Sequence, residues 1–210
     1  MNGGPQPGFP NGVPRICATM PGLGILPETA RMAVRKRRKE GAMPSKPAAK
    51  SAPKATAKLA VGDKAPGFEL PSDDGGTVSL ADFKGRKLVI YFYPKADTPG
   101  CTKESIDFSK HKSAFSRANT AVLGVSADPV KAQSKFKAKH DLKIPLGSDE
   151  TTKMLKAYGA WGEKSLYGRK FLGVFRSTYL IGEDGRIAQV WPKVKVEGHA
   201  DEVLAAAKVL

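Results

Sequence analysis

The chain has 210 residues, 40% of them hydrophobic, with 2 cysteines and a formal net charge of +15. That allows one domain of ordinary size plus something extra. Two cysteines exclude a disulfide scaffold and suit a reducing compartment, which points to the cytoplasm, and no run of about 18 apolar residues exists to span a membrane.

The charge is concentrated at the start. The first 60 residues hold eleven of the Lys and Arg and only two acids, Glu28 and Glu40. "MPSKPAAKSAPKATAK", from Met43 to Lys58, is almost wholly Ala, Lys, Pro and Ser. Such a segment buries too little surface to offset the cost of ordering. Residues 1–58 are therefore expected to form a disordered basic tail, and residues 59–210 a folded domain. The run "RKRRKE" at 35–40 reads as a solvated face, a nuclear address or a weak, salt-sensitive polyanion site. No aromatic interleaving favours base stacking. "ICATMPGLGIL" at 16–26 is broken by Pro21 and two glycines, so it makes a poor secretory core. Met20, Met32 and Met43 offer alternative starts that would remove part of this tail.

From Leu59 onward the texture changes. "LPSDDGGTVSLADF" at 70–83 predicts a small hairpin and turn. "KLVIYFY" at 87–93 and "TAVLGVS" at 120–126 are short, β-branched and aromatic runs, expected as strands buried on both faces. About 27 residues of helical texture separate them. A helix is predicted over 129–141, with Asp128 as N-cap and Pro129 at its first position. Another is predicted over 149–159, from Asp149 to Gly159. "STYLIG" and "RIAQVW" flank Asp184-Gly185 and predict a hairpin. "ADEVLAAAKVL" closes the chain as a helix with acids in its first turn. This order predicts an α/β fold whose sheet is parallel at the centre and antiparallel at one edge. No Gly-rich phosphate motif is present, so nucleotide binding has no support.

The informative stretch is "YPKADTPGCT", residues 93–102. With Thr98 as N-cap, Pro99 takes N1, Gly100 takes N2 and Cys101 takes N3. An N3 side chain commonly reaches into the free first-turn amides, which favour negative charge. A thiol there is expected to ionise more readily than free cysteine, at the carboxyl end of a strand where α/β sheets place their sites. A free cysteine is otherwise often a small buried hydrophobe. His111, His140 and His199 have no metal-ligand spacing to either cysteine and read as surface or helix-end residues. A dithiol exchange needs Cys-x-x-Cys, but Thr98 stands at the first position. A cysteine hydrolase needs a histidine base, and none is local. A thiolate attacking a peroxide needs a hydroxyl to orient the oxygen and a cation to stabilise the departing one.

These residues resemble the peroxiredoxins. Pro94, Thr98 and Cys101 fit the Pro-x-x-x-Thr-x-x-Cys signature, and "YFYPKADTPGCT" is similar to the peroxiredoxin Q, or bacterioferritin comigratory protein, group. The likeness runs from about Leu59 to Leu210 through "VGDKAPGFEL", "VSLADFKGRKLVIYFYP", "VLGVSAD", "YGAWGEKS" and "FRSTYLIGEDGRI". It implies a thioredoxin-like fold with a mixed central sheet flanked by helices. It also implies a thiol peroxidase acting on hydrogen peroxide and organic hydroperoxides, with no cofactor or metal, and a monomer. By position, Cys101 resembles the peroxidatic cysteine, Thr98 the threonine that binds the substrate oxygen, and Pro94 the proline that shields the thiolate. Arg176 resembles the arginine that supplies the cation, and Glu104 the carboxylate that orients it. Tyr158 and Trp161 fit the pattern and are expected to line the core or a loop near the site.

One departure stands out. Ile106 occupies the place, five residues on, where many members carry a resolving cysteine, and residues 129–141 hold none. The sulfenic acid would need an external thiol, thioredoxin or a low-molecular-weight one. Cys17 is the only internal candidate, on a tail long enough to reach. Without a fast resolver the sulfur is exposed to further oxidation. A second functional class is a peroxide sensor or redox relay that oxidises a partner, and a third is a polyanion-binding protein acting through the basic tail.

Overall fold

The computed structural model describes residues 59–166 and 168–210, apart from the side chain of Leu166. The expectations for residues 1–58, among them the basic run and Cys17, lie outside the described residues.

Five strands make the central sheet: β3 (Lys87–Phe92), β4 (Thr120–Ser126), β5 (Leu146–Ser148), β8 (Ser177–Ile181) and β9 (Ile187–Trp191). Their order is β5-β4-β3-β8-β9. β3 runs parallel to β4 and antiparallel to β8, so the sheet is parallel on one side and antiparallel on the other, as the sequence predicts. The central position of β3 explains its unbroken apolar character, since both faces are covered. Leu88, Ile90 and Phe92 enter one core with Leu123, Tyr158 and Tyr179. Val89, Tyr91 and Tyr93 enter the other with Cys101, Phe108, Phe136 and Val203. This split follows the two-residue period of a strand.

Three helices supply the second core: α1 (Pro99–Lys110), α3 (Val130–Lys139) and α5 (His199–Val209). The short α2 (Lys112–Arg117) follows α1 after His111 and adds Phe115 to that core. The expected small hairpin is β1 (Glu69–Pro71) paired with β2 (Thr77–Ser79), followed by a 3₁₀ turn at Leu80–Phe83.

Three elements differ from the sequence reading. α3 begins at Val130 with Pro129, not Asp128, in the extended N-cap position. The Asp128 carboxylate is committed elsewhere: it accepts from the Ala96 amide at 2.7 Å and from the Ser126 hydroxyl at 2.8 Å. α4 spans Lys153–Ala157, four residues later than Asp149. Asp149 still serves its start from a distance, accepting from the amides of Lys153 and Leu155 at 3.1 and 2.8 Å. Finally, β6 (Trp161–Leu166) and β7 (Arg169–Val174) form a separate antiparallel hairpin that the sequence pattern did not announce. β7 is largely exposed, so burial imposes no alternation on its sequence.

Candidate active site

α1 begins where the Thr-Pro-Gly-Cys element predicts. Thr98 is the N-cap, extended at φ −98° and ψ 150°, and Pro99 opens the helix. Cys101 is therefore at N3, and it is fully buried. The Thr98 hydroxyl does not cap the helix; it donates to the Lys95 carbonyl at 3.0 Å. Its proton is thus engaged, and its oxygen offers lone pairs. Pro94 stands two residues beyond the end of β3 and is half-buried.

The loop between β3 and α1 is pinned from two sides. Asp97 adopts φ +59°, a left-handed conformation that aspartate tolerates better than most residues. Its carboxylate meets Lys139 at 2.6 Å and His140 at 2.7 Å, at the end of α3. The hydrogen bond from His140, then that from Lys139, holds the Asp97 carboxyl below the usual range. On the inner side, Asp128 accepts the Ala96 amide, and Ser126 links Asp128 to Gln133. Gln133 in turn accepts the Tyr93 hydroxyl. A buried polar chain of this kind fixes geometry when every member is satisfied. Sequence reading missed Ser126, Asp128, Gln133 and Tyr93. Ser126 and Asp128 gave only the signal of polar residues at the end of an apolar run, while Tyr93 closes such a run and Gln133 lies on α3.

Arg176 arrives from across the sheet, one residue before β8. Its Nη2 donates to Cys101 Sγ at 3.2 Å, and its Nη1 donates to Glu104 Oε2. The structure thus brings Cys101, Glu104 and Arg176 together, although 75 residues separate Arg176 from Cys101. Gly100 leaves room for the guanidinium: a Cβ there would lie 3.3 Å from Arg176 Nη2, a tight contact. Glu104 is 1% exposed. Burial, opposed by Arg176, pushes its carboxyl up to about 7. Its second oxygen, Oε1, has no hydrogen-bond partner. Burial alone would lower the Arg176 guanidinium, but Glu104 and Cys101 outweigh it and raise it.

The remaining residues resolve simply. Tyr158 is a core residue whose hydroxyl donates to the Pro66 carbonyl at 2.9 Å, and Trp161 packs beside it half-buried. All three histidines sit at helix ends, but His199 is buried at 2% exposure rather than on the surface. It meets the Thr178 hydroxyl at 2.8 Å, and burial lowers it to about 4. Among the described residues, no group of His, Cys, Asp and Glu is arranged to hold a metal ion. No described helix is long and apolar enough to cross a membrane.

A half-buried arginine held between a buried sulfur and a buried carboxylate, at the first turn of a helix, is a site that can be compared. The AhpC/TSA family model matches residues 61–190. The chain belongs to this family. Among its relatives, peroxiredoxin Bcp of Bacillus subtilis is 42% identical over 150 residues, 71% of this chain and 96% of that one. Peroxiredoxin Bcp of Xanthomonas campestris is 48% identical over 143 residues, 67% of this chain and 89% of that one. The solved structure of Xanthomonas campestris peroxiredoxin Q matches with a TM-score of 0.65 at 44% identity, covering 68% of this chain and 90% of that one. Xylella fastidiosa PrxQ gives 0.70 at 37% identity, covering 73% and 98%. The chain is a peroxiredoxin of the Q, or bacterioferritin comigratory protein, group, with the thioredoxin-like fold of these structures. It is a thiol peroxidase. In this peroxiredoxin the signature residues lie on the loop and first turn between β3 and α1, and the arginine lies at the mouth of β8.

Proposed function

We propose that Cys101 is the peroxidatic nucleophile for hydrogen peroxide and organic hydroperoxides. The observation that carries this is the 3.2 Å contact from Arg176 Nη2 to Cys101 Sγ, with Glu104 holding the other guanidinium nitrogen. The thiolate sulfur attacks one peroxide oxygen. The S–O bond forms as the O–O bond breaks, the sulfur becomes a sulfenic acid, and the departing oxygen takes a proton and leaves as water or alcohol. Thr98 offers its oxygen as acceptor to the peroxide O–H, because its own proton is engaged by Lys95. Pro94 covers the approach beside it. Arg176 stabilises the charge as it moves from sulfur to the departing oxygen. Alkyl peroxide reduction is the activity associated with the related Xanthomonas campestris bacterioferritin comigratory protein.

Resolution falls to an external thiol, thioredoxin or a small one. Cys101 is the only cysteine among the described residues, and Ile106 stands five residues on. The thiol sulfur attacks the sulfenic acid and releases water; a second thiol then frees Cys101. The same reading takes the protein as a cytoplasmic monomer, and residues 1–58 as a separate basic tail with weak polyanion affinity.

Rapid-mixing peroxide consumption tests this. Cys101→Ser abolishes it, and Cys17→Ser retains it. Arg176→Ala lowers it on the order of 10²-fold, as removal of one donor to a developing anion does elsewhere. Equal activity in Cys101→Ser ends the proposal. Oxidation once, followed by a stall with every reductant, favours the relay instead.

A further inference from the structure

The β6–β7 hairpin has no part in the site described so far, yet it holds a lysine that donates to the segment leading into Arg176. Lys164 on β6 lies opposite Phe171 on β7, and the next cross-strand pair on the same face is Gly162 with Gly173. These two glycines leave a trough. A Cβ at Gly162 would come within 2.7 Å of the Phe175 ring, and one at Gly173 within 3.3 Å of Lys164 Cδ. The Phe175 ring fills one half of the trough and the lysine stem runs along the other. The ammonium ends 5.6 Å from the Phe175 centroid and donates to the Val174 carbonyl at 2.8 Å. Val174 and Phe175 lead directly into Arg176.

The lysine is half-buried and, among the described residues, has no carboxylate partner. Its neighbour Glu163 pairs with Lys170 at 3.0 Å, and Glu104 is taken by Arg176. A cation that loses water without a carboxylate needs another anion to offset the cost. Burial, then the charge of Arg176, lowers the Lys164 ammonium, while Cys101 draws it up. What holds the ammonium is the Val174 carbonyl and the Phe175 ring, on the segment that runs into Arg176.

We propose that Lys164 is a second cationic positioning residue of the peroxide-reducing centre. Held by the glycine trough and the Val174 carbonyl, it braces the segment that delivers Arg176 and adds its charge to the field around the sulfur. This rests on Cys101 being the nucleophile. During attack the negative charge passes from sulfur to the departing oxygen, and both places lie in the field of two cations. No additional reactant is required.

The test compares Lys164→Met, which keeps the stem and removes the charge, with Lys164→Arg, which keeps the charge. Both are measured by rapid mixing in the full chain, with hydrogen peroxide and with tert-butyl hydroperoxide. Lys164→Met is expected to slow sulfur oxidation about ten-fold, the size of one unit charge acting through partly hydrated protein. The factor is expected to be alike for both peroxides, because the field acts on the reacting atoms they share. Lys164→Arg is expected to restore most of the rate. A wild-type rate in Lys164→Met, or equal loss in Lys164→Arg, overturns the proposal. Unfolding of both Lys164→Met and Lys164→Gln, seen by circular dichroism, shows a merely structural lysine and overturns it too. Cys101→Ser is run alongside. If it keeps the activity, the nucleophile assignment fails; if it is inactive while Lys164→Met is normal, only the role of Lys164 fails.

Discussion

Replacing Glu104 by glutamine tests the electrostatics of the site without touching the sulfur. Glu104 sits beside an arginine, which ordinarily depresses a carboxyl, yet burial wins and raises it from 4.5 to about 7. Between those values the folded chain holds a proton that the unfolded chain has released. Stability therefore falls as pH rises through that window, and it is greatest below it. A rise of this size amounts to about 3 kcal/mol between roughly pH 4.5 and 8. Glutamine does not titrate. Near pH 4.5 it stands in for a glutamate that is already protonated; near pH 8 it lacks the anion that faces Arg176, and that attraction is already contained in the value of about 7. The clean comparison uses Cys101→Ser with and without Glu104→Gln, which removes thiol titration from both. Urea unfolding at the two pH values should show the glutamate chain losing about 3 kcal/mol more than the glutamine chain, with m-values unchanged. Parallel pH profiles for the two chains would refute the burial argument.

Two further outcomes follow from the geometry. Gly100→Ala places a Cβ 3.3 Å from Arg176 Nη2; alanine suits the helix better than glycine by up to about 1 kcal/mol, so the thermal midpoint should hold or rise while peroxide turnover falls several-fold. Unchanged turnover would show that the guanidinium yields without consequence. His199, buried and held at about 4 against an ordinary 6.5, stays neutral in the fold while the unfolded chain takes a proton; stability is thus fully present above 6.5 and lost as pH falls toward 4. Urea titrations from roughly pH 7 to 4.5 should cost the wild type about 2 kcal/mol more than His199→Gln, and an equal acid limb in both would contradict this.

Much of the site could be read from local pattern. The continuous run at 87–93 marked the central strand, and Thr98-Pro99-Gly100 placed Cys101 at the third helical position without any tertiary information. The resemblance added Arg176 and Glu104, and the geometry joins them to Cys101. The hairpin at 161–174 was not legible, since β7 is largely exposed and the half-buried face of β6 is formed by Gly162 and Lys164 rather than by apolar residues. Asp128 looked like a helix cap because its local context is that of one; its carboxylate serves the loop at Ala96, 32 residues away.

The sequence by itself determined where β3, β4, β8 and α1 begin, because apolar period, proline and cap chemistry act over a few residues. It determined that a lone cysteine would sit at a helix start. Only the tertiary structure decided what surrounds that sulfur. The antiparallel pairing of β3 with β8 carries Arg176 to it, and the pairing of β6 with β7 sets Lys164 against Val174 and Phe175, just before that arginine. Charge acts through space rather than along the chain, so the field at Cys101 exists only once the sheet has closed.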